Sequence, residues 1–332
     1  MARPGEPPLV SVVTPFYNTA RYLRECIESV LAQTWPRFEY ILVDNCSTDG
    51  SRAIAEEYAG RDPRIRLFVN ATHLGQLANF NHALRQISSG SKYMKFVAAD
   101  DWLYPEGVER LVGVAECRES IGLVSSYRLT SDGVEGTGLP YDTAVFPGHD
   151  VCRRQLLNGR FFFGSESTVL YRADLVRTQH EFLDTGARHA DTERAYQTLK
   201  DHDFGFVHQV LSYTRRDGES ISGRVADLRP SLLDRMVILM KYGRDFLDPD
   251  EFRRCVRRHE LRYCEEYIRQ ALGPNRARFL AYHRSGLAGI GYQFPRGVVL
   301  RSFLIVAADL AFNFKKTIGD LTVKLGLWHR SP

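Results

Sequence analysis

Two adjacent carboxylates are the first sign of chemistry in this chain. Asp100 and Asp101 come shortly after an apolar run at residues 93–97. Such a pair repels itself unless a cation or a hydrogen-bond donor lies close by, and carboxylate oxygens suit Mg²⁺ or Mn²⁺ that also binds phosphates. Asp101 could instead cap a helix that starts near Pro105, so we expect only one of the two to bind a metal ion.

A third carboxylate, Asp44, stands between another apolar run and a turn rich in Ser and Thr. At that place it can accept hydrogen bonds from the base or the ribose hydroxyls of a nucleotide. Ser47 or Thr48 could cap the helix that follows. Helix capping does not explain an aspartate at the end of a strand, so Asp44 is a candidate ligand-binding residue.

The elements that carry these carboxylates alternate regularly. Apolar runs at residues 9–14, 40–44, 65–69 and 93–97 predict buried parallel strands, and apolar residues at helical spacing occupy the intervals between them. This order predicts an α/β fold with a doubly wound sheet, in which ligands bind beyond the carboxyl ends of the strands. No glycine-rich dinucleotide motif or P-loop motif occurs, which disfavours dehydrogenases, P-loop nucleoside triphosphatases and nucleotidyltransferases.

Three ordered segments lie along this predicted sheet. They read VSVVTPFYN at residues 10–18, DNCSTDGS at residues 44–51 and NFNHAL at residues 79–84. Together they resemble the family 2 glycosyltransferases, and the resemblance spans residues 9–222. It implies a GT-A fold, which is a Rossmann-like, mostly parallel sheet flanked by helices. It also implies an inverting enzyme that transfers a sugar from a nucleoside diphosphate sugar.

The resemblance assigns the nucleotide sugar to the crevice at the strand ends. Asp44 matches the residue that binds the base, and Asp100 matches a metal-binding aspartate, which implies Mn²⁺ or Mg²⁺ as cofactor. Ala98 and Asn45 replace two carboxylates of the family pattern. The expected donor-binding residues are Thr14, Pro15, Tyr17, Asn18, Asp44, Asn45, Asn79, Ala99, Asp100 and Arg215.

Arg215 is included because the segment 213–217 lacks the histidine that many relatives have there. Arg215 or Arg216 is therefore the expected partner of the diphosphate.

The segment at residues 189–193 resembles the acceptor-side motif of the family, in which Asp191 matches the catalytic base. A base must lie within hydrogen-bond reach of the acceptor hydroxyl that it deprotonates. His189 and Glu193 are alternative bases, and by spacing alone Asp191 or Thr192 could equally be the N-cap of a helix. The residues expected to meet the sugar or the acceptor are Asp101, Ser165, Glu166, His189 and Glu193.

The distribution of charge divides the chain. Its 332 residues have a formal net charge of +4, but residues 228–332 contain 19 Lys or Arg against 10 Asp or Glu. We place a boundary near residue 226, between a catalytic domain at residues 1–226 and a basic helical region at residues 227–332. Six scattered cysteines without a C-x-x-C pair, and a start without a signal-like apolar segment, predict a cytoplasmic protein.

Residues 298–318 are the candidate membrane-contacting segment. On a helical wheel Arg301 and Asp309 lie opposite an apolar side. That side contains Val299, Leu300, Phe303, Leu304, Ala307, Leu310, Ala311, Phe314 and Ile318. The helix either packs on the catalytic domain or rests peripherally on the anionic inner face of the plasma membrane, which would suit a lipid-linked acceptor. No recognisable nucleic-acid-binding module accompanies the basic residues, so we expect no nucleic-acid partner.

Two functions of different classes follow. The resemblance implies transfer of a hexose-type residue to a hydroxyl of a saccharide or lipid-linked acceptor, in bacterial surface polysaccharide synthesis. The alternative is a non-catalytic nucleotide-sugar-binding or scaffold protein, because two acidic positions of the family pattern are lost. The retained Asp44, Asp100 and Asp191 favour the enzyme.

Overall fold

The structure is a computed structural model that describes residues 6–187, 189–216, 226–273 and 276–312. The chain divides into two compact units, Met1–Ser220 and Ile221–Pro332. Asp217 and the segment 313–318 of the candidate membrane-contacting helix lie outside the described residues.

Within the described part of the first unit, ten strands form a single sheet. They are β1 Val10–Phe16, β2 Phe38–Asp44, β3 Ile65–Val69, β4 Tyr93–Phe96, β5 Trp102–Leu103, β6 Ile121–Thr130, β7 Gly133–Glu135, β8 Val145–Phe146, β9 Leu170–Arg172 and β10 Asp203–Tyr213. The helices of this unit are α1 Ala20–Leu31, α2 Ser51–Ala59, α3 Gln76–Leu84, α4 Gly107–Ala115, α5 Gly148–Asn158, α6 Ala173–Arg177 and α7 Ala190–Leu199.

The strand order is β3-β2-β1-β4-β9-β6-β10-β5, with β7 beside β6 and β8 beside β10. The pairs β1/β2, β2/β3, β1/β4 and β6/β10 are parallel, whereas β9 runs antiparallel to both β4 and β6. This mostly parallel sheet flanked by helices confirms the predicted fold class. Because β2 and β4 lie on opposite sides of β1, the strand order reverses there, and the crevice for a ligand is expected at the carboxyl ends of these three strands.

The hydrophobic pattern explains why these elements form. Every residue of β1 is buried, as expected for a parallel strand covered by helices on both faces. In α1 the buried residues recur at helical spacing, so one face of the helix packs on the sheet. These residues are Leu23, Cys26, Ile27 and Val30.

Helix starts differ from the capping alternatives in the sequence. Helix α4 begins at Gly107 after Glu106, so Asp101 does not cap it. Helix α2 begins at Ser51 after Gly50, so neither Ser47 nor Thr48 is its N-cap, and the backbone N–H of Ser51 donates to Asp49 Oδ1 at 2.9 Å. Helix α7 follows His189, so neither Asp191 nor Thr192 is its N-cap.

The second unit is helical within its described residues. It contains α8 Pro230–Phe246, α9 Pro249–Ala271, α10 Arg276–Gly289 and α11 Arg296–Phe312. A small core of buried side chains joins α8, α9 and α10: Leu233, Met236, Val237, Tyr263 and Leu287. No helix in the described ranges is both long and apolar enough to cross a membrane.

Helix α11 exposes the side that the helical wheel predicts to be apolar. Ser302 and Val306 are its buried residues, and Asp309 forms an ion pair with Arg269 of α9 at 2.7 Å. The large apolar side chains face solvent instead, with exposed fractions of 62% for Leu300 and 56% for Phe303. Helix α11 therefore packs on α9 through a narrow stripe and leaves most of its apolar surface uncovered.

Candidate functional site

Asp44 ends β2 at the ligand crevice and is completely buried. Its Oδ1 atom accepts a hydrogen bond from the backbone N–H of Ser47 at 2.9 Å. Its Oδ2 atom is buried and has no hydrogen-bond partner among the described residues. A buried carboxylate oxygen without a donor is costly, so this atom is a ready acceptor for a ligand N–H or O–H.

Asn45 and Asn79 belong to a buried network of amide side chains. Asn45 Oδ1 accepts hydrogen bonds from Asn70 Nδ2 at 2.8 Å and from the backbone N–H of Leu74 at 2.9 Å, and Asn45 Nδ2 donates to the Leu74 carbonyl at 2.9 Å. Asn70 Nδ2 also donates to Asn79 Oδ1 at 2.8 Å. The amides of Asn45 and Asn79 therefore hold the segment between β3 and α3 in place.

Asn70 is a site candidate that the sequence analysis does not select. Its Oδ1 atom is buried and has no hydrogen-bond partner in the described part of the chain. Its backbone N–H donates to the carbonyl of Asp44 at 2.9 Å, so the two residues are neighbours at the ends of β3 and β2. The signal in the sequence is an asparagine directly after an apolar run.

The residues at the end of β1 play different parts. Thr14 and Pro15 are buried within the strand, and the hydroxyl of Tyr40 donates to Thr14 Oγ1 at 3.1 Å. Asn18 has a left-handed backbone, with φ 51°, and its side-chain oxygen accepts a hydrogen bond from the backbone N–H of Thr48 at 2.8 Å. Asn18 thus joins the turn after β1 to the turn after β2.

Tyr17 is the exposed aromatic residue of this turn. Its side chain is 45% exposed, and its ring meets that of His73 edge to face, with centroids 4.5 Å apart. His73 is a further candidate for the site that none of the sequence motifs indicates. The two rings offer a partly exposed aromatic surface for a planar base or a ribose.

The loop after β4 presents one carboxylate outward and holds the other inward. Asp100 is partly exposed, whereas Asp101 is 4% exposed and accepts a hydrogen bond from the backbone N–H of Arg215 at 2.9 Å. Ser167 also binds Asp101, and burial raises the pKa of Asp101 to about 6. Ala98 is partly exposed and the neighbouring Ala99 is buried, and neither offers a side-chain ligand for a metal ion.

Asp100 is accordingly the residue of this loop that fits a divalent cation. The described residues contain no cluster of three or more His, Cys, Asp or Glu side chains that could hold a metal ion. Mg²⁺ and similar ions are often bound by one or two carboxylates together with phosphates of the substrate. The donor set here fits a cation that Asp100 shares with a diphosphate.

The guanidinium of Arg215 packs against the same loop. Its Nε donates to the Asp100 carbonyl at 3.1 Å, and its NH2 group lies 2.8 Å from the carboxylate of Glu25. The guanidinium also lies 4.2 Å from the ring centroid of Tyr22 and 5.4 Å from that of Trp102. Arg216 pairs with Asp132 and Glu135 instead.

A cavity of about 30 Å³ is lined by Ser165, Glu166 and Asp191. The rest of its wall is mostly apolar and includes Met94, Phe96, Phe163, Tyr171, Phe182 and Leu183. Burial, and next the charge of Asp191, raise the pKa of Glu166 to about 8.

Of the five residues expected to meet the sugar or the acceptor, Ser165 and Glu166 therefore line the cavity beside Asp191, and Asp101, His189 and Glu193 do not. Ser165 Oγ lies 3.3 Å from Thr214 Oγ1. His189 directly precedes α7 and Glu193 is buried in its first turn, and neither is among the described residues that line the cavity.

Lys95 is a buried cation that the sequence analysis does not select. It lies on β4, and its ammonium donates to the carbonyls of Phe96 and Ser167. Burial lowers its pKa to about 7, and the carboxylate of Asp101 opposes this shift. A lysine within an apolar strand is the only signal for it in the sequence.

Comparison with known proteins places the chain in a family. Residues 11–178, just over half of the chain, match the model of glycosyl transferase family 2. The chain is 31% identical over 207 residues to the uncharacterized glycosyltransferase YibD of Escherichia coli, an alignment that covers 58% of this chain and 57% of YibD. It is 26% identical over 288 residues to the glycosyltransferase GlyG of Streptococcus pneumoniae, covering 78% of this chain and 92% of GlyG.

A shorter match is 40% identical over 94 residues to the putative teichuronic acid biosynthesis glycosyltransferase TuaG of Bacillus subtilis, and covers 28% of this chain and 36% of TuaG. The matches to YibD and TuaG thus span less than two thirds of those relatives.

Two solved structures share the fold. S. aureus TarS 1-349 in complex with UDP-GlcNAc has a TM-score of 0.60 at 17% identity, over 97% of this chain and 93% of that one. The mannosyltransferase PcManGT from Pyrobaculum calidifontis, in complex with GDP-Man and Mn²⁺, has a TM-score of 0.54 at 19% identity, over 96% and 89%. With its strand-end carboxylates and the match over residues 11–178, the chain belongs to glycosyl transferase family 2.

Proposed function

We propose that this protein transfers a sugar from a nucleoside diphosphate sugar to a hydroxyl group of a saccharide or lipid-linked saccharide, with inversion at the anomeric carbon. The observation that carries the proposal is the buried Oδ2 atom of Asp44, which has no hydrogen-bond partner among the described residues and lies at the end of β2; Asp100 follows β4, on the other side of β1. Family membership supports the reaction class.

Donor recognition is assigned to the ends of β1, β2 and β3. The free oxygens of Asp44 and Asn70 accept hydrogen bonds from N–H groups of the base. Tyr17 and His73 cover the base or the ribose with their ring surface. Two of the structural relatives are described in complex with UDP-GlcNAc and with GDP-Man, which supports a nucleotide sugar as the donor class.

Asp100 would hold a divalent cation, Mn²⁺ or Mg²⁺, together with the diphosphate. When bound, the cation supplies positive charge that stabilises the departing diphosphate. Arg215 keeps the Asp100 loop in place through its bonds to Asp101 and to the Asp100 carbonyl. The presence of Mn²⁺ in the complex of PcManGT supports this assignment.

Asp191 is assigned as the general base. It accepts the proton of the acceptor hydroxyl while the hydroxyl oxygen forms a bond to the anomeric carbon. The bond from that carbon to the diphosphate oxygen breaks on the opposite face, and the diphosphate leaves with the electron pair. Attack opposite to departure inverts the anomeric centre.

The acceptor is assigned to the class that is used in bacterial surface polysaccharide synthesis. TuaG, a relative over part of the chain, carries teichuronic acid biosynthesis in its name. A lipid-linked acceptor would require contact with a membrane surface. We place the protein in the cytoplasm, peripheral on the inner face of the plasma membrane.

Helix α11 is the surface proposed for that contact. Its exposed apolar side chains, Leu300, Phe303 and Leu304, would enter the interface between headgroups and acyl chains, and Arg296 and Arg301 would lie beside anionic headgroups. Sedimentation with vesicles of phosphatidylglycerol tests this. Replacing the three apolar residues with Gln should abolish binding at every salt concentration.

The matched variant for charge is Arg301→Gln, which should reduce binding only at low salt. Unchanged sedimentation of the triple Gln variant would refute the proposed surface.

A thermal-shift screen of nucleotide sugars with and without Mn²⁺ tests the transferase proposal, because a ligand that binds the folded state raises the melting temperature. The best donor should stabilise the protein more when Mn²⁺ is present, and it should then be hydrolysed slowly to free sugar. Tight binding without turnover on any acceptor would favour the scaffold alternative. No stabilisation by any nucleotide sugar would refute both.

A further inference from the structure

Glu166 and Asp191 belong to two different elements and line the same small cavity. Glu166 begins a 3₁₀ turn, Glu166–Thr168, just before β9, whereas Asp191 is the second residue of α7. Most of the remaining wall is apolar. Two carboxylates that share a poorly solvated cavity cannot both ionise at low cost, so one of them tends to keep a proton.

The turn that carries Glu166 is tightly fixed. Gly164 precedes it with φ +82°, and a Cβ atom there would lie 2.1 Å from Thr168 Oγ1. Thr168 Oγ1 donates to the Ser165 carbonyl at 2.6 Å, and the backbone N–H of Ala98 donates to Ser167 Oγ at 3.0 Å. The backbone of Glu166 is therefore held beside the cavity, although the residue is partly exposed.

The surroundings of the two carboxylates decide which one stays charged. Asp191 lies in the first turn of α7, where the helix dipole and the free backbone N–H groups favour a negative charge. The charged groups that act most on Glu166 from the surrounding elements are Asp191, Asp101 and Arg128, and the phenol of Tyr171 also faces it across the cavity. The two carboxylates oppose its ionisation. The guanidinium of Arg128 favours it, but that group is already paired with Glu135.

We propose that Glu166 is a positioning residue that acts through Asp191. It stays a neutral carboxylic acid in the resting protein, so that Asp191 carries the only negative charge of the pair. The second part of the inference rests on the proposed function: Asp191, and not Glu166, then receives the proton of the acceptor hydroxyl. Glu166 keeps its own proton throughout the transfer, and the proton on Asp191 passes to water after the product leaves.

A neutral Glu166 also avoids an unfavourable negative charge close to the reacting groups. An ionised Glu166 would put a second negative charge beside Asp191 and near the diphosphate. That charge would repel the diphosphate and would oppose donor binding. Activity should therefore fall as the pH rises through the pKa of Glu166, which lies at about 8.

The first experiment follows the carboxyl groups directly, without substrate. In the full-length protein labelled with ¹³C at the side-chain carboxyls of Glu, one resonance should titrate near pH 8 and should be missing in Glu166→Gln. In Asp191→Asn the midpoint of that resonance should fall, because the neighbouring negative charge is gone. If every Glu carboxyl of the wild type titrates below pH 6, the inference is wrong.

The second experiment compares pH profiles of sugar transfer. For the wild type, kcat/KM should be about tenfold lower at pH 9 than at pH 7, as expected when a group with a pKa of about 8 must be protonated. For Glu166→Gln, which is permanently neutral, this alkaline fall should disappear. An unchanged profile would overturn the role, and a loss of turnover in Glu166→Gln as large as in Asp191→Asn would make Glu166 the base.

The two experiments separate this inference from the proposed function. A Glu carboxyl that titrates near pH 8, in a protein that transfers no sugar, would leave the proton-sharing pair standing and would refute the transferase. Sugar transfer by a protein without such a carboxyl would support the transferase and would refute the proton-sharing pair.

Discussion

The backbone N–H of Arg215 donates to the carboxylate of Asp101 at 2.9 Å, across 114 positions of the chain. The side chain of Arg215 reaches the same loop, because its Nε donates to the Asp100 carbonyl at 3.1 Å. The segment after β10 therefore fixes the loop after β4. The geometry of Asp100 depends on a residue from the far end of the catalytic unit.

Replacing Arg215 with Ala tests this dependence. The change removes the guanidinium from Glu25, Tyr22 and Trp102, and we expect the free energy of unfolding to fall by about 1–3 kcal/mol. Glu25→Gln is the matched control, and should cost no more than about 1 kcal/mol because Glu25 is exposed. Urea unfolding measures both. If Arg215→Ala is as stable as the wild type and instead loses affinity only for diphosphates, Arg215 is the phosphate partner that the sequence predicts.

Asp191→Asn should lower kcat by about 10²–10⁴-fold, the usual contribution of a general base. The amide cannot take the proton of the acceptor hydroxyl. Donor binding should survive, since Asp191 is not assigned to the donor. Turnover and the thermal shift caused by the donor should be measured on the same preparation; normal turnover would remove the assignment.

Asp44→Asn should raise stability while it weakens donor binding. The wild-type protein buries the Oδ2 atom of the Asp44 carboxylate without a hydrogen-bond partner among the described residues. The neutral side-chain amide of the variant should therefore stabilise the ligand-free protein by about 1 kcal/mol. The loss of a charged hydrogen-bond acceptor should weaken nucleotide affinity about 10- to 100-fold.

The control for this prediction is Asp62→Asn, which changes a carboxylate that is paired with Arg64 at 2.7 Å. That variant should not gain stability and should bind nucleotide normally. A fall in the melting temperature of ligand-free Asp44→Asn would contradict the prediction.

Gly164→Ala should destabilise the protein by about 1–3 kcal/mol. The new Cβ would lie 2.1 Å from Thr168 Oγ1 in a backbone region that disfavours L-residues. Gly113 offers the opposite case, because it lies inside α4 with nothing within 4 Å of an added Cβ. Gly113→Ala should be stabilising by about 0.5–1 kcal/mol. Melting temperatures that move in the same direction for both variants would be inconsistent with the structure.

The second unit should lose stability in mild acid. Burial lowers the pKa of His259 to about 4, and its Nε2 lies 2.8 Å from the carbonyl of Leu232. In the unfolded chain a histidine protonates near pH 6.5, so the unfolded state binds more protons between pH 6.5 and 4. The stability present above pH 6.5 should therefore fall by up to about 3 kcal/mol as the pH drops to 4.

Denaturant unfolding at a series of pH values measures this loss. For His259→Gln the free energy of unfolding should depend less steeply on pH in the same pH range. An equally steep dependence would show that other groups cause the loss.

The sequence predicts the positions of the first four strands with little error, but β3 is not the buried strand that its apolar run indicates, since only Ile65 among its residues is buried. A parallel strand that is buried on both faces appears as an apolar run, as in β1 and β2. The long strand β10 contains polar residues such as Asp203, His208 and Gln209, so it lacks this signal. Strand β9 begins only at Leu170, because a 3₁₀ turn occupies Glu166–Thr168.

Side-chain partners were less predictable than positions. The sequence shows two adjacent carboxylates, Asp100 and Asp101, but not which of them is held by a hydrogen bond inside the protein. In the structure the backbone N–H of Arg215 donates to Asp101. The wheel of α11 identifies its apolar side, and no local pattern tells whether another helix covers that side. Asp309 turns toward α9 because Arg269 is there to pair with it.

The order of the strands also has a consequence for synthesis of the chain. Strands β1 to β4 pair within residues 10–96, whereas β6 completes its pairing only with β10, whose first residue, Asp203, pairs with Ile121. Contacts that are close in sequence form early, and a nascent chain emerges from its N-terminus. We expect the nucleotide-recognising half to acquire structure while the segments of Asp191 and Arg215 are still within the ribosome. A chain arrested at that stage would bind the nucleotide sugar but could not transfer its sugar.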